Sequence, residues 1–272
     1  MAFVDRDGAR IHWRSLGKGE PLVLIMGLGC TSAMWFRLAP RLARRHRVIL
    51  LDNRGVGQTE VHHFVVHRVS TMAADVAVVL DAAGETSAHV LGLSMGGMIA
   101  QQFAADFPDR VRSLTLMATN CGGAHAVLAE RPIWQLLFDR GERSPENSLA
   151  AMRPYTYARG TPDQVVEEDH LVRLADYPTL RGYQAQLYGL MGWSSYYRLP
   201  HLRCPTLLLH GMEDRLIPPA NAHLLAERIP GARLIEIEGA SHWLHSDQTV
   251  RTAEEVQTFV GKHGRGAVRG GQ

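Results

Sequence analysis

The stretch Gly92-Leu93-Ser94-Met95-Gly96 sets a serine between two glycines in the spacing G-x-S-x-G. A serine hydroxyl attacks a carbonyl only where a sharp turn exposes it and a base removes its proton. On a strand-to-helix corner the residues two positions away on either side must lack side chains, because strand and helix pass close together there. The helix that follows points its positive end at the place where a developing oxyanion would sit. The surroundings suit such a corner. Ala88 to Leu93 reads as a short buried strand, and Met95, Met98, Ile99, Phe103 and Phe107 recur at helical spacing before Pro108 stops the helix.

An activated serine needs an imidazole as base and a carboxylate to fix its tautomer, and in such a sheet both follow on later strand ends in the order serine, acid, histidine. Asp214 follows the apolar run Pro205 to His210, and His242 follows the last strand, Arg233 to Ile237, in the small-residue loop Gly239-Ala240-Ser241. With 14 histidines in the chain, placement decides among them. His245 is the local competitor, His210 ends its strand too early and reads as buried structure, and Glu213 sits less far out on its loop than Asp214. Two backbone N–H groups would form the oxyanion hole, those of Met95 and Leu28, with Leu28 preferred over Gly27 in the loop Gly27-Leu28-Gly29. His62, His63 and His67 raise the question of a metal, but no carboxylate or cysteine spacing accompanies them; neither a metal nor a cofactor is expected.

These residues need a scaffold that gathers strand ends. Phe3-Val4 and Arg10 to Arg14 read as two edge strands around an Asp7-Gly8 turn. Pro21 to Met26 and Val48 to Leu51 are near-continuous apolar runs of the kind buried on both faces of a sheet. Helices are expected over Ser32 to Ala43 and Thr71 to Ala83, and a further strand over Ser113 to Met117. Alternating strand and helix indicate a parallel sheet covered on both faces, whose ligands bind at the carboxyl ends of the strands. Gly27-Leu28, Asp52 and Ser94 all lie just past strand ends and can share one site.

After Asn120 the pattern changes. Until about Leu199 no strand recurs, and every tyrosine of the chain falls between Tyr155 and Tyr197. Helical pieces are expected over Ser148 to Met152, Pro162 to Ala175 and Leu180 to Tyr188, the second with Thr161 as N-cap. Residues 120–199 thus read as a helical cap inserted into a core made of residues 1–119 and 200–263, with 264–272 a glycine-rich flexible tail. Most cap aromatics should only pack, while Trp134 and Trp193, with Trp35 from the core, are the candidates to line a substrate pocket.

The balance of 29 basic against 27 acidic residues argues for neither nucleic acid nor an anionic membrane as partner; the expected partner is a small-molecule substrate, and a homodimer is left open. Three scattered cysteines suit reduced thiols. Met1 to Trp13 carries no apolar core of a secretory signal and no apolar run reaches membrane-span length, so a soluble cytoplasmic protein is expected.

Together Met26-Gly27-Leu28-Gly29, Asp52-Asn53-Arg54-Gly55-Val56-Gly57, Gly92-Leu93-Ser94-Met95-Gly96-Gly97, His210-Gly211-Met212-Glu213-Asp214 and Gly239-Ala240-Ser241-His242 resemble the motifs of capped α/β-hydrolases, and the likeness runs from about Phe3 to Lys262. Within that superfamily the surroundings of Ser94 resemble 3-oxoadipate enol-lactonases and the methylesterases of polyketide tailoring. Many relatives have His where this chain has Met26. The resemblance implies an α/β fold with a mostly parallel, eight-stranded-type sheet, helices on both faces and a cap. It also implies a cofactor-free serine hydrolase of a small apolar ester or lactone. The alternatives are a carbon–carbon bond hydrolase of ring-cleavage products, an amidase using Glu167-Glu168-Asp169 to hold an amine, and a binding protein that kept the site without turnover. Dehalogenase or epoxide hydrolase chemistry is disfavoured, since those relatives carry Asp at the position of Ser94.

Overall fold

The computed structural model of the chain describes residues 2–62 and 65–264. His63 and nearly all of the expected tail lie outside them. The first half runs β1 (Ala2–Arg6), β2 (Ala9–Leu16), β3 (Glu20–Ile25), α1 (Ala39–Leu42), β4 (His46–Leu51), β5 (Glu60–Val61), α2 (Val69–Ala82), β6 (Ala88–Leu93), α3 (Met95–Asp106) and β7 (Val111–Met117). Four helices follow: α4 (Arg131–Phe138), α5 (Pro145–Thr156), α6 (Asp163–Ala175) and α7 (Leu180–Leu190). The chain then closes through β8 (Thr206–Gly211), α8 (Ala220–Arg228), β9 (Arg233–Ile237), α9 (Leu244–Asp247) and α10 (Thr249–Lys262).

Among the described residues the strands form one sheet in the order β1-β2-β4-β3-β6-β7-β8-β9, with β5 added against β2. From β4 to β9 every pairing is parallel, while β2 pairs antiparallel with β1, β4 and β5. The strands alternate their side chains between two cores, as a sheet covered on both faces requires. Val23, Ile25, Ile49, Val90 and Leu208 face one cluster, with α2 and α3; Leu22, Leu24, Leu50, Leu91 and Leu209 face the other, with Trp35, Leu38 and α10. From β3 the chain steps one way to β4 and the other way to β6, so the strand order reverses between β3 and β6. A crevice opens at such a reversal, beyond the carboxyl ends; here those ends carry Gly27-Leu28 and Ser94.

Several local expectations need correcting. Of the two expected edge strands β2 lies inside the sheet and β1 is at its edge. Helix Ser32 to Ala43 is broken into a 3₁₀ turn over Ser32–Phe36 and the short α1, because Pro40 lacks the N–H that would bond back to Phe36 and its ring crowds that carbonyl. Thr161 does not cap α6: its hydroxyl donates to Asp247 Oδ1 at 2.6 Å, which leaves Pro162 at the cap position. No helix among the described residues is long and apolar enough to cross a membrane.

Three buried imidazoles make the fold sensitive to acid. Burial pushes His67 and His89 down to about 4 and His245, wedged between the Trp35 and Trp243 rings, to about 3. Each stays neutral when folded but takes up a proton near pH 6.5 when unfolded, so its stabilising contribution is complete above that pH and is lost as the pH falls toward the folded value. Asp247 works in the opposite direction over part of this range, since burial lifts its carboxyl to about 6. Burial also lowers His46, His170, His210 and His263 and raises Asp75, so the lowered imidazoles outnumber the raised carboxyls and the balance is a net loss. Urea unfolding from pH 7 to pH 5 should show falling stability, and His245→Gln should flatten that slope, by about 1 kcal/mol per pH unit.

Candidate active site

Ser94 occupies the corner between β6 and α3 with φ +56° and ψ −120°, a conformation that L-residues adopt only under strain. The surroundings enforce it. Its N–H donates to the Met117 carbonyl at 2.9 Å, and its own carbonyl accepts from Gly97 N at 2.8 Å and Thr119 Oγ1 at 2.7 Å. A Cβ on Gly92 would strike the Gly96 carbonyl, and one on Gly96 would strike the carbonyl of Ile25, so both glycines are required by close approach.

His242 and Asp214 come from loops after adjacent strands. The Asp214 carboxylate is buried; Oδ2 lies 2.9 Å from His242 Nδ1, while Oδ1 accepts from Leu216 N at 2.9 Å and Ile217 N at 2.8 Å. The 214–217 loop is held in turn by His210, whose Nε2 lies 2.8 Å from the Ile217 carbonyl. Glu213 points away to Arg159 N at 2.9 Å, which removes it as the acid. His245 is walled in by two tryptophans and does not line the cavity. The loop of His242 is pinned by Asp247, which accepts from Ser241 N at 2.7 Å as well as from Ala158 N and the Thr161 hydroxyl.

Ser94, His242, Leu28 and Met95 line one cavity of about 110 Å³, with Gly27 packed against the serine so closely that a Cβ there would sit 3.2 Å from Ser94 Cβ. The walls are mostly apolar, from Trp134, Leu136 and Leu137 of α4, Leu149 and Met152 of α5, and Leu187 and Leu190 of α7. Two further residues that the sequence did not single out, Arg140 and Arg173, also line it. Of the three tryptophans expected there, only Trp134 does. Trp35 is wholly buried in the second core against His245, where its apolar neighbours hold it under the sheet. Trp193 lies outside, because its indole N–H is drawn to Gln102 Oε1 at 2.8 Å.

Asp52 also stays out of the cavity. Its carboxylate organises the loop after β4, accepting from Ser32 N at 2.7 Å and Gln58 N at 3.1 Å and facing His12 Nδ1 at 2.9 Å. The acidic run on α6 is likewise occupied: Arg37 pairs with Glu168 at 2.7 Å and with the buried Asp169 at 3.0 Å. No carboxylate among the described residues lines the cavity, so nothing there would hold an amine. Among the described residues no cluster of His, Cys, Asp or Glu could hold a metal ion.

Gln186 of α7 fastens the loop that carries Leu28. Fully buried, it accepts from Gly29 N at 2.8 Å and donates to the Arg54 carbonyl at 2.7 Å. On the same helix, a Cβ at Gly182 would collide with the Gly55 carbonyl and one at Gly189 with that of His67, so α7 lies directly on the core. Gln186→Leu strands a buried donor and a buried acceptor, and urea unfolding should show a loss of about 1–3 kcal/mol.

Comparison with known proteins agrees with this architecture. The alpha/beta hydrolase fold family matches residues 20–151 and 134–249. A pimeloyl-(acyl-carrier protein) methyl ester esterase of Aeromonas hydrophila is 32% identical over 90% of this chain and 97% of its own length. A poly(3-hydroxyalkanoate) depolymerase of Ectopseudomonas oleovorans is 32% identical over 89% of this chain and 83% of its own. The structure of a thermophilic esterase from Thermogutta terrifontis superposes with a TM-score of 0.82 at 26% identity, over 94% of this chain and 95% of that one. The chain belongs to the alpha/beta hydrolase family.

Proposed function

We propose that the protein is a cofactor-free serine hydrolase of small carboxylic esters or lactones, acting through Ser94, His242 and Asp214. The observation that carries this reading is the buried Asp214–His242 pair at 2.9 Å, opening onto the same cavity as a serine held at φ +56°. Asp214 holds the Nδ1 proton of His242, which leaves Nε2 free to take the proton of Ser94 as its Oγ attacks the carbonyl. The oxyanion that forms is received by the N–H groups of Leu28 and Met95. His242 then protonates the leaving alkoxide, and water, activated by the same imidazole, releases the acyl group from Ser94.

Residues 120–199 act as a cap in this reading, since α4, α5 and α7 supply most of the apolar wall that excludes water from the acyl-enzyme. The esterase relatives favour the same chemistry. The test is labelling by a fluorophosphonate followed by hydrolysis of a panel of short esters and lactones. Stoichiometric labelling and turnover are expected; folded protein that neither labels nor turns over any member would refute the reading.

A further inference from the structure

Within an apolar cavity the two arginines stand out, because a guanidinium carries a permanent charge that is costly to desolvate without a counter-ion. Arg140 is held in place by its Nε, which donates to the Tyr177 hydroxyl at 2.8 Å, and by the Tyr183 ring, 4.3 Å from its Cζ. Its Nη1 rests against Gly29, 2.9 Å from where a Cβ would stand. Its Nη2 is buried and makes no hydrogen bond. Arg173 lies over the Trp243 ring at 5.2 Å. Among the described residues neither arginine has an acidic partner, whereas Arg37, which packs directly against α6, has two.

The positions of the two cations relate them to the reaction. Gly29 adjoins Leu28, the oxyanion donor in the reading above, and Trp243 adjoins His242. We propose that Arg140, assisted by Arg173, binds a carboxylate of the substrate, so that the preferred substrates are monoanionic half-esters of short dicarboxylic acids. The terminal fork of Arg140 matches a carboxylate in two parallel hydrogen bonds. Its seat over Gly29 sets that carboxylate a short spacer from the scissile carbonyl. The apolar walls accept the methylenes between them.

This assignment rests on the hydrolase reading for its chemistry but not for its binding, and the experiment separates the two. Binding of monomethyl glutarate and of dimethyl glutarate is measured by calorimetry on protein carrying Ser94→Ala, and turnover of both on the unaltered protein. The half-ester should bind about 10- to 100-fold more tightly, and Arg140→Gln should remove that preference. Equal binding of the two esters, or a preference that survives both Arg140→Gln and Arg173→Gln, would overturn the carboxylate site. If Arg140→Gln does not fold, Arg140→Lys keeps the charge but loses the fork and should lose most of the preference; full retention overturns the proposal. Unaltered protein that cleaves both esters with equal kcat/KM would overturn the anionic preference and leave the hydrolase intact. Absence of labelling and turnover would remove the hydrolase, and the calorimetric difference would still decide the carboxylate site.

Discussion

Ser94→Ala should abolish fluorophosphonate labelling and lower kcat on any ester substrate by a factor on the order of 10⁶, leaving only the rate that binding and the oxyanion donors supply. The fold should be unaffected, because the hydroxyl is the only group removed and the hydrogen bonds at this corner are made by the backbone N–H and carbonyl of residue 94. Ser94→Gly is a useful companion. It is equally inactive, yet glycine adopts φ +56° without strain, so its melting temperature should exceed that of Ser94→Ala. If Ser94→Ala retained more than a hundredth of the activity, the nucleophile would lie elsewhere.

The second large effect belongs to the acid. Asp214→Asn should lower kcat by about 10⁴-fold with little change in KM, since the amide stabilises the wrong imidazole tautomer at Nδ1. The structure adds a reason for severity: Oδ1 accepts two backbone N–H groups from Leu216 and Ile217, so the amide oxygen is drawn there and the NH2 is turned toward His242. A steady-state comparison at pH 7 checks this. A loss below tenfold would show that Asp214 does not orient His242 in catalysis.

The sheet and the loops that carry Ser94, Asp214 and His242 could be read from sequence because their signals are local. Runs such as PLVLIM and PTLLLH admit little besides a strand buried on both faces, and glycines mark the corners where backbones must cross. What could not be read depends on three-dimensional company. Trp35, Trp134 and Trp193 look alike in a sequence, yet a core, a cavity and an indole bond to Gln102 divide them. Thr161 satisfies the local pattern of an N-cap and is taken by Asp247, 86 residues away. Arg140 reads as one more solvated charge until its neighbours are known to offer it no carboxylate. Gln186 gives no sequence signal either, because both of its partners are backbone atoms on distant loops.

The seat of α7 on the core bears on how such a protein diverges. Gly182, Gly189 and Gln186 fix how the helix sits against Gly55, His67 and Gly29, so the placement of this wall of the cavity is closed to drift. Helix α4 is under no such constraint: of its residues only Ile133 is fully buried, and Phe138 is 47% exposed. Trp134, Leu136 and Leu137 can therefore be exchanged at small cost to stability while reshaping the space beside Ser94. New specificities should arise by mutation on α4 with the chemistry untouched, and a library confined to that helix is the economical route to altered substrates.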